Sequence, residues 1–205
     1  PYVAQDEIKN IDWKVSARLN GLFTKIYTEE KDRPVFIVVD LKSSMFFGSI
    51  NCFKSVLASS LAARLAMAGL NGGDHVGGLV FNENTEQECT IKAGKKNLAR
   101  FFARLSEGLQ QNLTPKKISW ISVLSRASKQ PSGSMVFLIS DFFGLDESVK
   151  PELFRLRKKA DVLAMRIIDP LEKDLPSLGM LSMVYGEQSV IFDSSDKAFR
   201  KRFFA

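Results

Sequence analysis

Val35-Phe36-Ile37-Val38-Val39-Asp40 (VFIVVD), running on into Leu41-Lys42-Ser43-Ser44-Met45-Phe46-Phe47-Gly48, decides the fold of this chain. Four of the first five residues are β-branched and no polar residue interrupts them. Such a run marks a strand covered on both faces, as in a parallel sheet. Met135–Asp141 (MVFLISD) is built the same way, and Asp161–Ile168 (DVLAMRII) reads as a third parallel-type strand. Between them the hydrophobic spacing changes to that of helices. Cys52–Ala68 repeats Phe53, Leu57, Leu61 and Leu65 every four residues with Ala58, Ala62 and Ala66 alongside, and Asn51 before it is a good N-cap. Asn71-Gly72-Gly73 supplies the left-handed turn that ends that helix.

Further helices are expected over Asn97–Leu109, Ile118–Lys129 and Pro151–Lys159. His75–Phe81 and Glu86–Lys92 are joined by only Asn82–Thr85, too short for a crossover helix, so these two strands pair antiparallel. Met180–Tyr185 and Ser189–Phe192 form a hairpin, and Asp196–Phe204 a short terminal helix. The class is therefore α/β: a doubly wound, mostly parallel sheet with one antiparallel edge strand. Residues Pro1–Pro34, with an expected strand at Leu22–Thr28, read as a lead-in packed on the domain formed by 35–205.

Composition narrows the function classes. The chain has 205 residues, of which 45% are hydrophobic, enough to bury a core without staples. Its formal charge of +6 permits nucleic-acid binding but does not favour it, because acids are interleaved with the 29 Lys and Arg. The longest apolar runs are strand-sized, so no membrane-spanning segment is expected. Cys52 and Cys89 show no paired spacing, consistent with free thiols in a cytoplasmic setting. Cys52 reads as a small residue near the core, and the single histidine, His75, as structural.

In open parallel sheets, ligands bind beyond the carboxyl ends of the strands. Asp40 and Asp141 each close a buried strand, and they meet if those strands are neighbours. With Ser43 and Ser44 they outline a hard-oxygen site suited to Mg²⁺ or Mn²⁺. Alternatively, each aspartate only caps its own loop by accepting backbone N–H bonds.

Asp40-Leu41-Lys42-Ser43-Ser44 resembles the D-x-S-x-S opening of the metal-ion-dependent adhesion site of von Willebrand factor A domains, and Ser140-Asp141-Phe142 resembles a later loop of that site. More closely, Ile11-Asp12-Trp13-Lys14-Val15-Ser16-Ala17-Arg18, Glu30-Lys31-Asp32-Arg33-Pro34 and Ser44-Met45-Phe46-Phe47-Gly48 resemble the bacterial family called domain of unknown function 58, as do Lys54, Gly73-Asp74 and Val76-Gly77. This resemblance implies a von Willebrand A-like fold and a non-catalytic interaction role, with a MoxR-type AAA+ ATPase as the suggested partner. It also implies a metal held by Asp40, Ser44 and Asp141.

One position departs from the pattern. The first serine is Lys42 here, and an ammonium has no lone pair to offer a metal. Lys42 either neutralises Asp40 and Asp141 in place of the ion, or extends to water and leaves the site open. Partner binding is accordingly expected at Asp40, Lys42, Ser44 and Asp141. Ser43, Thr114 and Ser119 are lesser candidates for metal ligands. The rival function is a Mg-dependent hydrolase or phosphotransferase using strand-end aspartates, with Asp40 as nucleophile or ligand.

Overall fold

The computed structural model describes residues 13–19, 21, 23, 33–109, 118–174, 176–185, 188–196 and 199. The chain divides into two compact units, Pro1–Lys31 and Asp32–Ala205. The first contains helix α1 (Trp13–Leu19), where the Ser16 hydroxyl accepts a bond from the Phe23 N–H at 3.0 Å. Apart from Phe23, the strand expected at Leu22–Thr28 lies outside the described residues, as does most of Asp196–Phe204.

The second unit is built on a five-stranded sheet. In chain order its elements are β1 (Pro34–Asp40), α2 (Lys54–Asn71), β2 (His75–Phe81), β3 (Glu86–Lys92), α3 (Lys95–Gly108) and α4 (Trp120–Ala127). There follow β4 (Met135–Ser140), α5 (Lys150–Arg157), β5 (Asp161–Arg166) and the four-residue α6 (Pro170–Lys173). The strand order is β3-β2-β1-β4-β5, with β3 antiparallel to β2 and the other pairs parallel. This is the doubly wound sheet with one antiparallel edge strand that the sequence leads one to expect. β6 (Met180–Tyr185) and β7 (Gln188–Asp193) form the expected hairpin as a separate two-stranded sheet.

β1 lies at the centre because its side chains are apolar on both faces. Val35, Ile37 and Val39 join one core with Ala58, Ala62, Ala66 and Phe101, beneath α2 and α3. Phe36 and Val38 join the other with Trp120, Val123, Leu124 and Leu156, beneath α4 and α5. The Asn82 side chain closes the β2–β3 turn by accepting from the N–H groups of Asn84 and Thr85, both at 2.8 Å.

Two local expectations are corrected. Asn51 is not the N-cap of α2. It sits in the left-handed region at φ 62°, and the helix starts after Phe53, which is extended at ψ 152°. The cause is a tight fold-back at Gly48, where an added Cβ would lie 2.4 Å from the Cys52 carbonyl oxygen. Ala58, Ala62 and Ala66 are fully buried, whereas Phe53 and Leu57 are half exposed. Small side chains let the helix settle close on β1, Leu61 and Leu65 pack against the same core, and Phe53 and Leu57 at the start of the helix turn outward. Cys52, expected near the core, is exposed, and Cys89 is the buried thiol. At the other end of α2, Gly73 adopts φ 87°, the left-handed turn anticipated there.

Close helix–sheet packing makes a specific demand. Ala62→Leu is expected to destabilise the fold by about 1–3 kcal/mol through overpacking, while Leu57→Ala changes it by less than about 0.5 kcal/mol. Equilibrium urea unfolding of the two variants checks this; equal effects would show that the alanine stripe does not set the helix's distance from the sheet.

Candidate functional site

Parallel pairing of β1 with β4, in a register that sets Val39 beside Ile139, brings Asp40 next to Ser140. Asp40 has no exposed surface. Its Oδ2 accepts the Ser140 hydroxyl at 2.7 Å and its Oδ1 accepts the Lys42 N–H at 3.0 Å. The Ser140 Oγ in turn accepts the Phe142 N–H at 2.8 Å. One buried carboxylate thus ties together the loops that leave β1 and β4. Burial pushes the Asp40 pKa up to about 6, against the Ser140 and Lys42 hydrogen bonds and the Lys42 charge, which pull it down; Asp141 adds repulsion.

Asp141 has a different environment. Its Oδ1 accepts the Phe143 N–H at 2.9 Å, and its Oδ2 lies 2.8 Å from the Nζ of Lys54. Lys54 occupies the first turn of α2 with its side chain only 3% exposed. Its ammonium also bonds the Oε1 of Glu172 on α6, a side chain 36% exposed. The Oε2 of Glu172 accepts the Asp169 N–H at 2.9 Å, half of a capping box that starts α6. Asp169 reaches back to the first loop, accepting both the N–H of Ser49 (2.7 Å) and its hydroxyl. Burial raises the Asp169 pKa, but the bonds from Ser49 and Leu171 and the Lys54 charge outweigh it and hold the carboxyl below its ordinary value.

The remaining expected residues are spread around this centre. The Lys42 ammonium does not bridge the aspartates. It lies 5.3 Å from the Phe81 ring centroid and 5.4 Å from that of Trp120, in a cation–π arrangement. Trp120 meets Phe81 edge-on at 5.1 Å and Phe142 at 5.7 Å. Lys42 therefore serves Asp40 through its N–H and its charge, and the lysine bonded to Asp141 is Lys54. Ser43 and half-buried Ser44 form a 3-10 turn with Met45, and the exposed Ser43 donates its N–H to the Glu83 carboxylate. Ser119 is the N-cap of α4, its hydroxyl accepting the Ser122 N–H at 3.2 Å. Thr114 lies outside the described residues.

Lys54, Asp169 and Glu172 were not evident as site residues from sequence, whereas Ser140 belongs to the Ser140-Asp141-Phe142 loop that resembles part of the adhesion site. A signal existed for one of the three. Lys54 stands four residues before Ala58 and so belongs to the buried stripe of Ala58, Ala62 and Ala66. A lysine on a buried stripe requires partners.

The donor set does not fit a divalent cation. Mg²⁺ and Mn²⁺ need open carboxylate oxygens, yet both Asp40 oxygens accept bonds from the chain itself. Those of Asp141 are taken by the Phe143 N–H and by an ammonium that would repel a metal. Among the described residues, no three acidic, His or Cys side chains converge as a metal group. Nor can Asp40, without exposed surface, meet a substrate as a nucleophile in this arrangement. Among the described residues, no helix is long and apolar enough to cross a membrane.

A carboxyl whose pKa rises from 3.8 to about 6 on folding gives its stability below the lower value and loses it as the pH climbs through the higher one. Asp40→Asn removes that titration. The stability of Asp40→Asn relative to the parent chain is therefore expected to increase by about 2 kcal/mol between pH 4.5 and pH 8. Urea unfolding at the two pH values measures it, and a pH-independent difference would rule the assignment out.

Comparison with known proteins extends over the whole chain. An uncharacterized protein of Mycobacterium tuberculosis and one of Mycobacterium bovis are each 26% identical over 98% of this chain. The chain spans 64% of the length of these curated relatives. Among solved structures, an aerotolerance-related membrane protein from Bacteroides fragilis aligns with a TM-score of 0.54 at 13% identity. That alignment covers 84% of this chain and 86% of that one, a likeness of fold alone. The SpRpn10 VWA domain aligns over 66% of this chain and 89% of its own, with a TM-score of 0.35 and 9% identity. The family model described as protein of unknown function DUF58 matches residues 1–205, and the chain belongs to that family.

Proposed function

We propose that this chain is a non-catalytic protein-interaction module that docks a partner at the carboxyl edge of its sheet, around Asp40, Lys42, Ser44 and Asp141. The observation that carries this reading is the contrast between a buried polar scaffold and an apolar rim. Asp40, Asp141 and Lys54 are consumed in fixing two loops. Both loops carry exposed apolar residues: Phe47 and Ile50 in the first, Phe143 and Leu145 in the second. Large exposed apolar side chains held around a rigid polar centre are the anatomy of a docking surface, in which a few anchors provide most of the affinity. The edge has the charges of a recognition site, while its deepest carboxylate is shielded from any substrate.

The partner in this reading is a MoxR-type AAA+ ATPase, a choice supported by the family resemblance alone, and the setting is cytoplasmic. Ile50→Asp and Phe143→Asp each replace an exposed anchor and leave the core alone. Each is expected to weaken binding to the MoxR-type ATPase encoded in the same genome at least about tenfold, with an unchanged thermal midpoint. Biolayer interferometry with both proteins purified decides between the parts. Full affinity in both variants would exclude docking at this edge, and no binding by the parent chain would exclude this partner.

A further inference from the structure

We propose that the Lys54 ammonium is the permanent cation of this edge: it holds the site together as a bound divalent ion would, so the edge is assembled without metal. The argument starts from where the charge is put. A lysine in the first turn of a helix faces the positive end of the helix dipole, where a cation is disfavoured. This one is also withdrawn from water, at 3% exposure. Both costs require local compensation, and the structure supplies it from two distant elements. Asp141 follows β4 and lies 2.8 Å from the ammonium; Glu172 comes from α6 and bonds it on the other side. The Phe47 ring, with its centroid 6.0 Å away, adds a face of negative potential.

The lysine is fixed at its backbone too. Its N–H donates to the Phe47 carbonyl at 2.8 Å, which locks the loop that follows β1 to the start of α2. Glu172 is held in place by the Asp169 N–H, and Asp169 grips Ser49 in that same loop. One ammonium therefore joins three segments: the loop after β1 with α2, the loop after β4, and α6. A metal ion gathers carboxylates from separate loops in this way. An ammonium does so with one charge and three donors on a fixed stem. It cannot be removed by a chelator, and it excludes a second cation from the oxygens it holds.

The proposal goes beyond the docking reading, and its test needs no partner. The full 205-residue chain is titrated with Mn²⁺ and followed by electron paramagnetic resonance and by thermal unfolding, alongside Lys54→Met, which keeps the apolar stem and deletes the charge. The parent chain is expected to show no stoichiometric Mn²⁺ binding and the same midpoint in Mn²⁺ as in EDTA. Lys54→Met is expected to melt several degrees lower, and Mn²⁺ should raise its midpoint more than that of the parent. Saturable one-to-one Mn²⁺ binding by the parent would overturn the proposal, and so would a Lys54→Met midpoint equal to the parent's. If Lys54→Met does not fold, Lys54→Met/Asp141→Asn, which removes the stranded charge, must restore folding. Its failure to do so would likewise overturn the proposal.

Discussion

A charge taken out of water must be answered within hydrogen-bond reach, and the buried ammonium of Lys54 sets that requirement for the carboxyl edge of this sheet. Meeting it fixes much else. β4 has to lie beside β1 so that Asp141 arrives where α2 begins, and α6 has to fold back so that Glu172 meets the other side of the charge. Removing either carboxylate would leave a cation in a nearly dry site. That is a larger loss than a surface ion pair would carry. By comparison Arg104–Glu107 and Arg155–Glu152, both exposed pairs along single helices, constrain nothing beyond their own turns.

The fold was legible because its strongest signals are local. Val35–Asp40 and Met135–Asp141 can only be buried strands, and the short Asn82–Thr85 connection can only join antiparallel neighbours. On α2 the small residues of the apolar repeat were readable as the part that meets the sheet, and Ala58, Ala62 and Ala66 do so; the exposure of Phe53 and Leu57 at its start was not readable from the repeat. Asn51 has the chemistry of an N-cap. The close approach of Gly48 to Cys52 bends the chain there, and Asn51 takes the left-handed conformation that its short polar side chain tolerates.

The site was half legible for a related reason. Asp40 and Asp141 end buried strands and announce themselves. Lys42 stands out as a departure from a pattern, yet its position in the chain says nothing of Phe81 and Trp120, which draw its ammonium aside. Lys54 was visible as a lysine in line with the alanine stripe of α2. Asp169-Pro170-Leu171-Glu172 carries the local spacing of a capping box, but the bonds of Asp169 to Ser49 and of Glu172 to Lys54 come from a meeting of segments that no local pattern encodes.

The span of that meeting has an entropic meaning. The bonds of Lys54 to Asp141 and Glu172 close intervals of 87 and 118 residues. Contacts of such separation carry a loop-closure cost that the pairing of β1 with β4, itself spanning 100 residues, shares with them. Until β4 is laid beside β1 and α6 has turned back, Lys54 is better off hydrated, and the loops around it have nothing to hold their shape. The edge is thus a property of the assembled fold: a chain in which β4 has not met β1, or α6 has not turned back, does not possess it.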